Sequence, residues 1–415
     1  MTALSEPAPT KKSRLARFLA VAGPGLVVML ADTDAGSVIT AAQSGASWGF
    51  RLLWLQIILI PILFVVQELT VRIGIATGEG HAQLILRHFG RFWAWASVST
   101  LLVACLGALL SEFAGLAGVG ALLGLSPPLT MALVVGALIA MAYSHSYLTV
   151  ERIAIAIGAF ELVFLVVVLL AQPDPATVAA QIADIPLHND KYLYLIAANI
   201  GAVIMPWMVF FQQSAVVEKK LTPEDLPAAR LDTILGAILT QIIMASVLVA
   251  TAATLGRTGE AADLDTVQRI AEAITPFLGE FGGKLLFGLG MTGAALVAAI
   301  VVSLTAARTL SEMLDVKCSL DDSPREAPWF YGAYTLALIG CGLIVASGVN
   351  LVSLSVGVQV MNALLLPFVL GFLYLLARRL PKLFRLRGFN AFVCAVVIVI
   401  ASSFGVYSGF MGLFE

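Results

Sequence analysis

Asp32 and Asp34 carry the chemistry most out of place in this chain. They lie in Leu26-Val-Val-Met-Leu-Ala-Asp32-Thr33-Asp34-Ala35-Gly36-Ser37, with apolar residues for nearly two helical turns before them and one after. A carboxylate at mid-membrane costs at least ~2.5–3.5 kcal/mol, so such groups face a polar path or a cation. Thr33 is a poor helix former, Gly36 loosens the backbone and Ser37 adds a hydroxyl. A helix that breaks here frees backbone carbonyls and starts a new N-terminus beside the acids. Many secondary carriers build a midplane ion site in this way.

The elements that must position these acids follow from composition. Of 415 residues, 60% are hydrophobic and 12% charged. A soluble domain carries about 25% charged residues, so the chain reads as an all-α polytopic membrane protein. Apolar runs of spanning length fall near 16–46, 51–76, 92–123, 127–146, 149–171, 192–218, 228–256, 283–312, 328–347, 350–377 and 390–412, eleven in all. Residues 1–15 are expected to be a cytoplasmic segment, with no cleavable signal, and 16–412 a single transmembrane domain. Of the 24 Lys and Arg, five fall in outer segments (Arg51, Lys191, Arg257, Arg269, Lys284) if the N-terminus is cytoplasmic. Arg72 ends span 2 on the inner side, and the other 18 lie inside. That asymmetry supports an odd number of spans and a cytoplasmic N-terminus. The outer segments near Asp174–Asp190 and Glu260–Asp265 are acidic, which suits a cation entrance. Cys105, Cys318, Cys341 and Cys394 have no metal-type spacing and read as packing residues. His81, His88, His145 and His188 read as surface residues in loops or at a span end. No Walker motif is present, so transport driven by ATP within this chain is not expected.

Span 6 contains a second weak point, Asn199-Ile-Gly201-Ala202-Val-Ile-Met205-Pro206-Trp207. Pro206 has no amide proton and clashes with the preceding turn. Breaks in spans 1 and 6 occupy corresponding places in two five-helix halves, the pattern of inverted repeats. The halves are 16–171 and 192–377, with 390–412 as an extra helix.

Gly23-Pro24-Gly25, Asp34-Ala35-Gly36-Ser37 and Arg51-Leu52-Leu53-Trp54 resemble the first two spans of the Nramp family of divalent-metal transporters. That family has a Gly-Pro-Gly turn and an Asp-Pro-Gly-Asn break. Gln67, Arg72 and Gly74-Ile75-Ala76-Thr77-Gly78 continue the resemblance. So do Gly201-Ala202-Val-Ile-Met205-Pro206, Arg230-Leu231-Asp232-Thr233, Thr275-Pro276-Phe277-Leu278-Gly279, and Gln359 before Pro367-Phe368. It covers nearly the whole chain. It implies a LeuT-like inverted repeat of five plus five helices, with helices 1 and 6 broken, in the inner (plasma) membrane. It implies no cofactor and no nucleic-acid partner; the partners are the transported divalent ion and the lipid bilayer.

The resemblance also implies the metal ligands: Asp34, the Ser37 hydroxyl where the family has asparagine, the Ala202 carbonyl, the Met205 thioether and the Gln359 amide oxygen, with Asp32 as an added acid. Oxygens plus one sulfur favour Mn²⁺, Fe²⁺ or Cd²⁺ over Ca²⁺ and Mg²⁺. The departures point elsewhere. Ala35 replaces the family's proline, Trp207 and Gln213 replace two histidines, and Leu109 replaces an aspartate linked to proton movement, while Glu112 is kept. Glu68 is an unusual acid in span 2, and one extra residue separates Pro206 from Ser214. Nramp-related branches with such losses move Mg²⁺ without proton coupling. Three readings therefore stand: a carrier of Mn²⁺ or related metals, a Mg²⁺ carrier without proton coupling, and a carrier of the same fold for an organic solute. An anionic solute would meet two aspartates. A non-transporting sensor or an enzyme is not expected, because no nucleophile–base pair is visible.

Overall fold

The computed structural model describes residues 21, 23–144, 147–254, 269–271, 280–348 and 350–413. The expected N-terminal segment 1–15, the acidic stretch Glu260–Asp265, the segment Thr275–Gly279 and His145 lie outside them. Among the described residues every regular element is helical. The first expected span is split into α1 (Pro24–Asp32) and α2 (Ala35–Trp48). The rest of the first half comprises α3 (Leu53–Thr77), α4 (His81–Phe89), α5 (Arg91–Leu122), α6 (Pro127–Ala142), α7 (Tyr147–Gly158) and α8 (Val163–Ala171). A short α9 (Pro175–Ile182) connects to α10 (Asp190–Val203) and α11 (Pro206–Glu218), the two parts of span 6. Then come α12 (Leu226–Thr254), α13 (Glu280–Met313), α14 (Pro328–Ala346), α15 (Leu351–Arg379) and α16 (Gly388–Leu413).

Prolines set several of these starts. Pro24, Pro127, Pro175, Pro206 and Pro328 each open a helix, where the missing amide proton costs nothing and the fixed φ is helical. Gly78 ends α3 in a left-handed conformation at φ 66°, which a side chain would strain.

Nine stretches among the described residues are long and apolar enough to cross a membrane, and Pro127–Ala142 is a shorter apolar helix. One of the nine, Ala35–Thr77, contains both the second half of span 1 and span 2, joined by a tight 3-10 turn at Gly49–Leu52. The length test therefore yields nine where the sequence suggested eleven. The expected spans 1 and 2 share one stretch, and the expected span 4 has only 16 helical residues.

The interior is built on α10, which packs against α15 and α16, and on α5 against α13. α12 runs along both α2 and α3. Two polar seams tie these helices together. Near the start of α3, Gln56 donates to Asn199 at 2.7 Å, and Asn199 donates to Ser44 at 2.8 Å. Towards the other end of α3, Thr70 donates to Gln212 at 3.0 Å, and Gln212 donates to Thr233 at 3.1 Å. Neutral amide and hydroxyl pairs satisfy each other without a charge, so they can be buried at low cost.

Candidate metal site

The first break is two residues long. Thr33 leaves the helix at ψ 48°, Asp34 is extended at ψ 173°, and α2 begins at Ala35. Aspartate is among the best N-cap residues because its carboxylate takes a free first-turn amide. Asp34 Oδ1 accepts from the Ser37 N–H at 2.6 Å. Its Oδ2 is buried, with the Glu112 and Gln359 side chains beside the carboxylate but no well-formed hydrogen bond. The next amide, that of Ala35, donates to Glu112 Oε2 on α5 at 2.9 Å. A proline at 35 could not make that bond, so the exchange of the family's proline for alanine ties Glu112 to the break. Thr33 Oγ1 and Thr240 Oγ1 of α12 lie 2.5 Å apart and hold the other flank.

The second break comes from Pro206. The Ala202 carbonyl, four residues before it, has no amide proton to receive. It accepts instead from the Ser37 hydroxyl at 3.0 Å. That bond joins the two breaks directly. Gly201 lets α15 approach, since a Cβ there would strike the backbone of Gln359. The Gln359 side chain reaches Gly36 on α2, where a Cβ would collide with its amide. Its Nε2 has no partner, and its Oε1 accepts from Asn362 at 3.0 Å.

The structure thus gathers Asp34, Ser37, Ala202 and Gln359 around the paired breaks. Met205 is buried at the start of α11, with its sulfur accepting from the Trp207 indole N–H at 3.2 Å. Asp32 is buried within electrostatic reach of Glu161, and its oxygens have Thr240 beside them but no well-formed hydrogen bond. Among the described residues no three His, Cys, Asp or Glu side chains are arranged to hold a metal. A site here would use one carboxylate with neutral oxygens, whereas the sequence predicts the Met205 sulfur and the second acid Asp32 as well.

Glu161 was not singled out in the sequence. It is fully buried in a 3-10 turn at Ala159–Leu162, with Thr33 beside its carboxylate but no well-formed hydrogen bond to either oxygen. It interacts electrostatically with Asp32 and Asp34. Its signal was available: a lone acid inside the apolar run Ile155–Leu170 follows the same reasoning that marked Asp32. Asn362, one turn after Gln359, was also missed. Two other readings change. Glu68 is an ion-pair partner of Arg72 at 2.7 Å and Arg230 at 2.6 Å, which makes it a clamp between α3 and α12. His81 is buried, not on the surface. Its Nδ1 lies 2.9 Å from Gln213 Oε1 and its ring packs edge-on against Phe210. Burial pushes its pKa down to about 4, against a smaller upward pull from Gln213, so the imidazole is neutral at ordinary pH.

A helical membrane protein with two facing helix breaks and a buried carboxylate between them has the build of a secondary carrier. The family model for Nramp, natural resistance-associated macrophage protein-like, matches residues 25–410, and the chain belongs to that family. It is 28% identical over 325 residues to a divalent metal cation transporter MntH of Chromohalobacter salexigens, covering 74% of each chain. It is 25% identical over 425 residues to the MntH of Brucella suis, covering 96% of this chain and 90% of that one. Among solved structures it resembles the manganese transporter of Eremococcus coleocola, with a TM-score of 0.77 at 19% identity, covering 98% of this chain and 90% of that one. A more distant likeness, TM-score 0.55 at 15% identity, is to MhsT in complex with L-phenylalanine, covering 97% of this chain and 99% of that one. These likenesses place the fold in the LeuT-like class.

Proposed function

We propose that this protein carries divalent metal ions, Mn²⁺ or a related transition metal, across the plasma membrane by alternating access, with its N-terminus in the cytoplasm. The observation that carries the reading is the buried Asp34 carboxylate at the span 1 break, three residues from the Ser37–Ala202 bond, whose Oδ2 has no well-formed hydrogen bond and whose neighbours Glu112 and Gln359 bring no positive charge. A buried carboxylate is stable only when paired, and a divalent cation supplies the pairing charge. Asp34 provides the charge. Ser37 and the Ala202 carbonyl provide neutral oxygens, each of which can accept a further contact. Gln359 provides an amide oxygen from α15. The relatives named for divalent metal transport support this choice over an organic solute. The repeat halves 16–171 and 192–377, with eleven crossings in total, give the breaks their matching positions. Because Ser37 and Ala202 come from different halves, any rocking of one half on the other alters the site. That is the geometric requirement of alternating access.

One observation favours a second reading, a Mg²⁺ carrier without proton coupling. The Met205 sulfur is already engaged by Trp207, and Leu109 and Trp207 are buried groups that cannot carry a proton. With its soft donor occupied, the site presents oxygens alone, which suit a hard ion that keeps several waters. Competition uptake into proteoliposomes with Mn²⁺, Mg²⁺ and Ca²⁺ across a pH gradient separates the two. Mn²⁺ uptake resistant to excess Mg²⁺ supports the first. Mg²⁺ uptake without a proton flux supports the second. No uptake of any divalent ion overturns both.

A further inference from the structure

We propose that the positively charged end of the bundle holds an anionic phospholipid, bound through its phosphate between α4 and the end of α15. A cavity of about 380 Å³ opens there. One wall carries three arginines, Arg87 on α4, Arg379 at the end of α15 and Arg385 beyond it, with Glu79 as its one acid. The other is apolar and includes Ile73 and Leu376.

The charges on the two walls do not balance. Arg87 pairs with Glu79. Arg379 donates to the His88 carbonyl at 3.0 Å and stacks over Phe89, its guanidinium carbon 4.3 Å from the ring centroid. Arg385 donates to the Leu380 carbonyl at 2.9 Å. Both are anchored by backbone carbonyls, and among the described residues neither meets a carboxylate within ion-pair distance. Each keeps most of its five donors for an acceptor from outside. Two guanidinium groups fixed at one cavity form a fork suited to phosphate oxygens.

The depth of the cavity selects the source of that phosphate. Trp93 packs against Phe368 and Phe372, and Phe372 packs against Phe89. Phe92 and Trp93, at the start of α5 and a few residues after Arg87 and His88, are 76% and 45% exposed. Exposed aromatics at the end of a membrane helix mark the headgroup level. The arginines sit on the side the charge asymmetry assigns to the cytoplasm, where anionic lipids gather and basic pockets between helices take their headgroups. A free phosphate would satisfy the guanidinium groups but leave the apolar wall uncovered. A lipid covers both. The occupant would also brace α15, whose Gln359 lies 20 residues from Arg379, about 30 Å along the helix.

The test uses the purified full chain, with retained lipid counted by native mass spectrometry and thermal unfolding followed in parallel. The probes are phosphatidylglycerol, phosphatidylcholine and inorganic phosphate. Wild-type protein is expected to retain phosphatidylglycerol over phosphatidylcholine and to melt higher in its presence. The Arg379→Gln/Arg385→Gln variant is expected to lose that preference by about 30-fold, the weight of two interfacial arginines. Its melting in phosphatidylcholine should stay cooperative and fall by only a few degrees, for the lost bonds to the His88 and Leu380 carbonyls, which shows that it folds. Lys382→Gln/Arg387→Gln removes the same charge outside the cavity and should keep the preference. An equal loss in both double variants would reduce the effect to surface charge and overturn the proposal. So would inorganic phosphate protecting as well as the lipid, or a wild-type protein with no preference.

Discussion

The two helix breaks solve the same backbone problem with opposite chemistry. In the first, Thr33 and Asp34 interrupt the helix, and acid oxygens are left without a well-formed hydrogen bond: Asp34 Oδ2, near Glu112 and Gln359, and both oxygens of Asp32, near Thr240. In the second, Pro206 interrupts the helix and the released groups are taken. The Ala202 carbonyl accepts from Ser37, and the Met205 sulfur accepts from Trp207. One break is electrostatically unfinished and the other is complete. An incoming cation therefore has its strongest reason to bind at the first. The second supplies shape and a neutral oxygen.

If that division is right, the largest effect of any substitution belongs to Asp34. Asp34→Ala removes the charged ligand and leaves a helix N-terminus that alanine caps less well, at about 1 kcal/mol. The protein is expected to fold with a modest loss of stability. Metal affinity should fall roughly 100-fold or more, beyond the 10–100-fold typical of an outer partner. Calorimetry on folded variant protein checks this. Unchanged affinity would mean that the unfinished break is not the site.

The completed break rests on α11, and α11 is pinned by His81 through Gln213 and Phe210. The folded pKa of His81, about 4, lies below the ordinary histidine value of 6.5. Between these values the unfolded chain takes a proton that the folded chain refuses. His81 therefore contributes its full stability above pH 6.5. That contribution falls as pH drops from 6.5 towards 4, and is level below. The loss over that window is on the order of 3 kcal/mol. Thermal unfolding measured at steps from pH 7.5 to pH 4.5 should show this slope, and His81→Asn should flatten it. An identical slope in the variant would assign the pH sensitivity to other groups.

Both breaks were legible in the sequence, for a simple physical reason. A proline, a glycine or a carboxylate in an apolar run has a local cost, and local costs are visible residue by residue. The helical class followed from composition in the same way. Pairings across the bundle were not legible. Glu68 read as a spare acid because Arg230 lies 162 positions away, and only folding brings the two together. His81 read as a surface residue because its burial depends on α11. Trp207 read as a lost histidine; its hydrogen bond to a sulfur two residues earlier depends on the turn at Met205–Pro206. Glu161 differs, because the local argument applied to it and went unused.

A smaller effect tests the one bond that joins the two breaks. Ser37→Ala removes the hydroxyl that reaches the Ala202 carbonyl and leaves that buried acceptor unpaired, at about 1 kcal/mol. The asymmetry predicts two consequences of similar size. Unfolding should shift down by a few degrees, and metal affinity should drop about fivefold because a neutral oxygen is lost. Paired melting and calorimetry measure both. A loss of affinity as large as that of Asp34→Ala would show that the second break carries more of the site than its filled hydrogen bonds suggest.

The smallest effect decides what kind of ion the completed break admits. Trp207 donates its indole N–H to the Met205 sulfur. A thioether is a weak acceptor, so this bond is worth less than an ordinary one of about 1 kcal/mol. Trp207→Phe keeps an aromatic ring in a fully buried position and deletes the donor together with part of the indole. If the bond holds the sulfur away from the ion, releasing it should raise Cd²⁺ binding about threefold relative to Mg²⁺, since soft ions alone gain from sulfur. Met205→Ala in the same background should then cancel the gain. Parallel Cd²⁺ and Mg²⁺ titrations of the wild type, the single variant and the double variant make the comparison complete. If the Cd²⁺-to-Mg²⁺ ratio does not move in Trp207→Phe and falls in Met205→Ala, the sulfur already faces the ion, and the second break is not complete after all. If neither variant changes the ratio, Met205 acts only by packing, and selectivity rests on the oxygens of Asp34, Ser37, Ala202 and Gln359.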